Sequence, residues 1–308
     1  MKALVTGGAG FIGSHVAEIL KENNHEVLIV DNFSTGKKSN LPKDIPFLEI
    51  DICSKELNKA ISEFKPDVVF HLAAQIDVQK SLHDPAFDAY VNVVGAVNLL
   101  QACQTNKVKK VIYSSSAAVY GEPQSLPVSE SHQLMPLSAY GVSKHTVEHY
   151  LYVFKNLYNI DYSILRYGNV YGPRQDPLGE AGVVAIFTDK ILKGQSPMIF
   201  GDGEQTRDFI YVKDIARANL LAATTSSSQV VNIATEVETS VNDVFNLLLE
   251  LTNQKELKAQ TMPSRSGEIR RMVMSTKKAK REIGFESKFS FYEGMKETIE
   301  FYKAQIDF

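Results

Sequence analysis

The chain has 308 residues, 44% of them hydrophobic, enough to bury a large core in one or two domains. Its formal net charge is −3 with both signs scattered, so composition gives no case for nucleic acid or an anionic membrane as partner. No apolar run approaches the ~20 residues of a membrane span, and the chain opens directly on a strand with no leader segment, so a soluble cytoplasmic protein is expected. Cys53 and Cys103 have neither metal-type spacing nor a disulfide framework; both read as small buried hydrophobes, and no metal site is expected.

Residues 2–6, Lys-Ala-Leu-Val-Thr, read as a buried strand. The turn Gly7-Gly8-Ala9-Gly10-Phe11-Ile12-Gly13 follows, then an amphipathic helix through Leu20. Strand, glycine turn and helix in this order form a dinucleotide-binding unit. Gly7 permits the tight turn, Gly10 lets backbone approach a pyrophosphate, and Gly13 lets the helix pack on the strand. The anion would lie on the helix N-terminus, where free N–H groups and the dipole favour it. A second strand, Glu26–Val30, ends at Asp31. A carboxylate there accepts from a ribose diol and repels a 2′-phosphate, which favours NAD over NADP.

Strand and helix keep alternating. Residues 46–50 are strand-like, and Asp51 and Ile52 at their end can flank an adenine. A helix is expected over 54–64 and another buried strand over 67–70, leading into His71-Leu72-Ala73-Ala74-Gln75. The small Ala73 and Ala74 permit close approach of a cofactor, while His71 reads as a hydrogen-bonded structural histidine. A long helix is expected over 85–105, containing Asn92.

The chemistry is expected next. Residues 110–113 read as a strand, with Ser114, Ser115 and Ser116 at its carboxyl end, where open parallel sheets bind ligands. Residues 138–159 read as a helix on which Tyr140 and Lys144, four apart, share a face. An ammonium beside a phenol favours the phenolate and moves an acid of reference pKa ~10 toward working pH. With the Ser116 hydroxyl to share the proton, this makes a general acid–base for a sugar or alcohol hydroxyl. A strand over 161–166 completes the pattern of an α/β protein with a doubly wound parallel sheet.

From Tyr167 the pattern changes. Residues 167–177 are rich in turn formers. They precede a helix to about Leu192, strands over 198–200 and 207–211, and helices over 212–223, 240–252, 276–283 and 290–304. Residues 224–228 read as a plain loop. Residues 1–167 are therefore expected to form the cofactor domain and 168–308 mainly a smaller α/β substrate region, with some segments returning to the first. Arg174, Arg207, Arg265 and Arg270 are the cations available to a diphosphate, expected as a set lining one cleft.

Read together, these motifs resemble the extended short-chain dehydrogenase/reductases. They are Thr6-Gly7 to Gly13, Asp31, Ser114 to Gly121, Tyr140-Gly-Val-Ser-Lys144, Leu165 to Asn169 and Arg207 to Tyr211. The likeness spans essentially the whole chain and is greatest to the branch that epimerises UDP-glucose and UDP-galactose at C4. It implies a Rossmann domain with a C-terminal UDP-sugar region, and Ser116, Tyr140 and Lys144 as the catalytic residues. It implies NAD held by Gly7, Gly10, Phe11, Ile12, Gly13, Asp31, Asn32, Asp51, Ile52, Leu72, Ala73, Ala74, Asn92 and Ser114, as well as by Tyr140 and Lys144.

A UDP-sugar would meet Gln75, Ser116, Tyr140, Asn169, Val183, Phe200, Arg207, Arg265, Glu268 and Met272. Glu268 stands where the family frequently has aspartate. The related dehydratases place Asp-Glu directly after the Ser/Thr, where this chain has Ala117-Ala118, which cannot transfer protons. The resemblance further implies a homodimer through helices 85–105 and 140–158. Other readings are a UDP-N-acetylglucosamine or UDP-glucuronate 4-epimerase, or another NAD-dependent nucleotide-sugar oxidoreductase. A non-catalytic NAD-binding regulator would have no use for Ser116, Tyr140 and Lys144 together.

Overall fold

A computed structural model describes residues 1–178, 182–225, 228–264 and 269–306. The first half runs β1 (Lys2–Thr6), α1 (Phe11–Glu22), β2 (Glu26–Asp31), β3 (Phe47–Glu49), α2 (Glu56–Phe64), β4 (Val68–His71), α3 (Val78–His83), α4 (Pro85–Ala89) and α5 (Gly95–Thr105). It continues through β5 (Lys110–Ser116), α6 (Ala139–Tyr158) and β6 (Asp161–Tyr167). The rest comprises β7 (Asn169–Tyr171), α7 (Val183–Leu192), β8 (Met198–Phe200), β9 (Thr206–Arg207), β10 (Phe209–Tyr211), α8 (Val212–Thr224) and β11 (Gln229–Ile233). Last come β12 (Thr239–Ser240), α9 (Val241–Thr252), β13 (Gln260–Met262), α10 (Lys277–Ile283) and α11 (Phe291–Ile306).

Seven of these strands form one parallel sheet in the order β11-β6-β5-β4-β1-β2-β3, a Rossmann-like doubly wound fold. Its strands are short β-branched runs because both faces are covered. Along β1, Ala3 and Val5 face the core that includes Val16 and Leu20 of α1 and Ile215 of α8. Leu4 faces the other core, with Leu57 of α2, Leu99 of α5 and Val147 and Leu151 of α6. The strand order reverses between β1 and β4, so the loops after them diverge to opposite faces and open a crevice at the carboxyl edge. Gly7, Asp31, Leu72 and Ser116 all stand on that edge, at or just beyond the ends of β1, β2, β4 and β5.

Four features depart from the sequence reading. The expected helix over 85–105 is interrupted by a π turn at Tyr90–Val94, which carries Asn92 inward. The strand expected over 207–211 breaks at Asp208 into β9 and β10, which pair with different partners, β12 and β7. Strand β11, an edge of the main sheet, follows a loop and pairs only with β6. Cys103 is fully buried as expected, but Cys53 is only half-buried, in the loop after β3.

The remaining segments build a second layer on that edge. Apolar faces of α7, α9 and α11 close around Phe187, Phe245, Leu248 and Ile299, with Tyr171 and Tyr211 from β7 and β10. Helix α9 opens on a capping box in which Ser240 and Asp243 satisfy each other's backbone N–H groups. Among the described residues no helix is long and apolar enough to cross a membrane.

Candidate active site

The glycine turn after β1 is compressed to the limit of packing. Gly7 has φ +70°, and a Cβ on Gly13 would stand 2.1 Å from the Gly7 carbonyl oxygen, so no larger residue leaves this turn intact. Helix α1 begins directly on Gly10, with no acidic residue in its first turn to compete for its free N–H groups. Asp31 at the end of β2 is buried; its Oδ2 accepts from Ala9 N at 2.9 Å and its Oδ1 from Phe33 N at 2.8 Å. Burial raises its pKa while those two donors pull the other way. A carboxylate has about four acceptor sites, so each oxygen retains one for a diol. Asn32 donates to Asp51 Oδ2 at 2.8 Å, which places the two side by side beyond β2 and β3 next to buried Ile52. Glycine cradle, open helix end and carboxylate together fit a dinucleotide.

Behind the cradle, His71 at the end of β4 bonds Thr6 Oγ1 through Nδ1 at 2.9 Å. Burial and the nearby Lys144 hold its pKa down at about 3, so it stays neutral. This is the structural histidine the sequence indicates.

Tyr140 and Lys144 stand against the end of β5, which carries Ser116, because β5 and α6 are pressed close. Ser138 caps α6 by accepting from Gly141 N at 3.1 Å. A Cβ on Gly141 would lie 2.6 Å from the Ala118 carbonyl oxygen, so glycine at this position lets the helix start rest on the turn after Ser116. Ser81 Oγ of α3 accepts from Tyr140 N at 3.1 Å. Lys144 is buried; its Nζ donates to the Ser114 carbonyl at 2.8 Å and lies 5.8 Å from the Tyr140 ring centroid. Burial lowers the Lys144 pKa to about 8, with Asp88 opposing.

A buried network locks these two elements in register. Glu148, one turn beyond Lys144, accepts from Ser115 Oγ at 2.6 Å and from Arg166 of β6 through both oxygens, at 3.0 and 2.6 Å. Arg166 also donates to Tyr120 OH at 3.0 Å, and Tyr120 OH donates to Asn232 of β11 at 2.6 Å. Breaking such a pair strands a charge in the core, at a cost of about 3–5 kcal/mol.

Not every expected contact residue faces the crevice. Gln75 turns its side chain inward, donating to Asp88 Oδ1 at 2.9 Å and accepting from Asp77 N at 2.6 Å. Asn92 is equally committed, to both backbone groups of Gln75, to Asp88 and to Ser143 Oγ. Both brace the site from behind. Arg174 forms a two-pronged pair with Glu18 of α1 and reaches Ser14 Oγ at 3.2 Å, while exposed Arg270 pairs with Asp202. These two are therefore each held by a carboxylate of the chain. Arg265 and Glu268 lie outside the described residues.

On the far wall, Met272 is buried against a cluster that includes Ala117, Val119 and Met274, and its N–H bonds Thr206 O beside Arg207. Asp208 organises this wall: its carboxylate accepts from Thr235 N and Oγ1, Glu236 N and Met274 N. Asn169 donates its backbone N–H to the Asp208 carbonyl at 2.7 Å. Val183 opens α7, and Phe200 ends β8, half-buried. Asp208, Glu148 and Gly141 escaped sequence reasoning; the signal was the position of Asp208 and Gly141 inside the motifs that hold Arg207 and Tyr140, and of Glu148 one helical turn beyond Lys144.

Comparisons place this geometry among known proteins. Residues 3–234 match the model of the NAD dependent epimerase/dehydratase family. The chain is 40% identical to a UDP-glucose 4-epimerase of Mycolicibacterium smegmatis, over 98% of this chain and 99% of that one. It superposes with TM-score 0.97 and 45% identity on a UDP-glucose 4-epimerase of Thermotoga maritima solved with UDP-glucose, covering 99% and 100% of the two chains. A UDP-N-acetylglucosamine 4-epimerase of Methanobrevibacter ruminantium solved with UDP-N-acetylmuramic acid is 37% identical, with TM-score 0.94 and coverage of 99% and 98%.

Proposed function

This chain belongs to the NAD dependent epimerase/dehydratase family, and we propose that it is a UDP-hexose 4-epimerase interconverting UDP-glucose and UDP-galactose. What supports the reading is buried Lys144 beside the Tyr140 ring, on a helix whose start rests on the turn after Ser116, with Ala117 and Ala118 offering no acid or base for eliminating water. NAD, when bound, supplies the hydride acceptor and donor at C4. The cradle from Gly7 to Gly13 and the Asp31 carboxylate hold it. Tyr140 takes the C4 hydroxyl proton and later returns it, Ser116 bonds the sugar oxygen, and the Lys144 ammonium favours the phenolate and holds the nicotinamide ribose. Arg207, Asn169, Val183, Phe200, Arg265 and Glu268 hold the nucleotide while the sugar turns, so binding energy resides in the part that does not react. Residues 1–167 supply the cofactor half and 168–308 mainly the substrate half. The test is incubation with UDP-galactose, UDP-N-acetylgalactosamine and UDP-galacturonate without added NAD, with products identified by NMR. Conversion of UDP-galactose to UDP-glucose is expected; conversion of the uronate alone would overturn the hexose assignment.

Met272 bears on substrate width. It stands where, by resemblance, the bulk of one residue decides whether an N-acetyl group fits as the sugar turns over, and it packs in the same cluster as Ala117. Methionine is adaptable and slimmer than tyrosine but larger than serine. A misfit of a methylene or two is worth ~1–3 kcal/mol, so partial discrimination against the N-acetyl pair is expected. Met272→Tyr should suppress N-acetyl turnover selectively, and Met272→Ser should raise it relative to hexose turnover. An unchanged ratio of the two activities in both variants would remove Met272 from this role.

We further propose a homodimer, working in the cytoplasm. Val94 of the π turn and Val142, Val153 and Leu157 of α6 are 50%, 51%, 43% and 66% exposed, and Val142 lines a groove of about 280 Å³ between α4 and α6. An apolar face of that extent asks for a partner, and a second copy offers the same face. Sedimentation at micromolar concentration should show a dimer; a monomer would refute it.

A further inference from the structure

Asp88 of α4 is 1% exposed. Its Oδ1 accepts from Gln75 Nε2 at 2.9 Å and Asn92 Nδ2 at 3.1 Å; its Oδ2 is also buried and has no hydrogen-bond partner among the described residues. Neither bond to Oδ1 calls for a charge, since an asparagine oxygen would accept both. A buried carboxylate with one oxygen unmatched therefore asks for another reason. The nearest one lies above it. Asn92 Nδ2 bonds Ser143 Oγ at 3.0 Å, and Ser143 Oγ donates to the Tyr140 carbonyl at 3.0 Å, so Asp88 is held beneath the first turn of the catalytic helix. On that helix Lys144 is 4% exposed, donates to a neutral carbonyl, and forms no ion pair among the described residues. A buried ammonium without a counter-charge loses its proton readily.

We propose that Asp88 is a positioning residue for the acid–base pair, the internal counter-charge that keeps the Lys144 ammonium protonated at neutral pH. Burial pulls the lysine down and Asp88 opposes it, the two together leaving it at about 8. Other groups around the pair leave this role to Asp88. His71 of β4 is neutral, and Tyr113 of β5 is buried with its phenol kept protonated. Glu148 of α6 is neutralised by Arg166 of β6. On α3, Lys80 is exposed over the Phe87 ring and His83 is exposed, while Asp77 and Asp84 cap the starts of α3 and α4.

The sign follows directly. A negative charge favours the protonated form of both neighbours, so removing it lowers the pKa of Lys144 and of Tyr140 together. The acid limb of kcat/KM requires the Tyr140 phenolate and the alkaline limb requires the Lys144 ammonium. Both limbs therefore move to lower pH, which a structural brace would not cause.

The experiment is the pH profile of kcat/KM for UDP-galactose with Asp88→Asn, with Asp88→Ser as a second neutral variant and Asp88→Glu as the charge-retaining control. The two neutral variants should shift both limbs acidward by about half a pH unit or more, and Asp88→Glu should return them toward wild type. A profile lowered in height with limbs unmoved would overturn the inference, as would limbs moving apart. Failure of both neutral variants to retain NAD would make Asp88 a brace and overturn it too. The inference rests on the acid–base reading above: a wild-type protein inactive on every UDP-sugar would fail that reading, whereas an active enzyme whose profile ignores Asp88→Asn fails only this one.

Discussion

Tyr140→Phe should lose turnover by ~10²–10⁴-fold, the contribution of a positioned acid–base group, while still binding UDP. The phenol oxygen is the only part removed. The ring remains beside Lys144, whose Nζ lies 5.8 Å from its centroid, and the Tyr140 N–H keeps its bond to Ser81 Oγ. Asn169, Phe200 and Arg207, proposed above to hold the nucleotide, are carried by β7, β8 and β9 and have no reason to move. The informative measurement is kcat alongside UDP affinity by calorimetry. A variant retaining more than about a tenth of wild-type turnover would mean that another group serves as base.

Lys144→Ala should be nearly as damaging near neutrality but with an opposite pH response. Without the ammonium the phenol returns toward its reference pKa ~10, so only roughly one part in a thousand is ionised at pH 7. Activity should then rise about tenfold per pH unit up to the phenol pKa. The wild-type enzyme should instead decline above about 8, where burial has brought the lysine's own titration. Above that pH the two profiles therefore slope in opposite directions. Parallel profiles would show that the lysine only orients the cofactor. NAD content must be measured in the same preparations, since the removed side chain also bonds Ser114 O and helps seat β5 on α6.

What the sequence makes legible here is what local chemistry dictates. The turn from Gly7 to Gly13 is readable because only glycine fits at position 13, where a Cβ would stand 2.1 Å from the Gly7 carbonyl oxygen. Tyr140 and Lys144 are readable because helical periodicity puts residues four apart on one face. Strand β11 went unseen because its five residues follow a hydroxyl-rich loop and gain their partner only from β6, far back in the chain. The break at Asp208 is equally non-local: its four hydrogen bonds go to Thr235, Glu236 and Met274. Gln75 and Arg174 show the same limit. Polarity marks each as a group that needs a partner, but only the fold decides between substrate and a buried Asp88 or a neighbouring Glu18. The π turn at Tyr90–Val94 cannot be read from periodicity either, because it shifts the helical phase at the residue, Asn92, that braces the site.

The central claim is that a hydrogen is taken from C4 and returned to it within one closed site, with Tyr140 and Lys144 handling the accompanying proton. The most direct measurement uses UDP-galactose carrying deuterium at C4, incubated with the purified protein and no added NAD, with the products followed by NMR. The label should remain at C4 in the UDP-glucose formed, with none in solvent. Label released to water, or conversion that requires a stoichiometric supply of added NAD, would contradict the account.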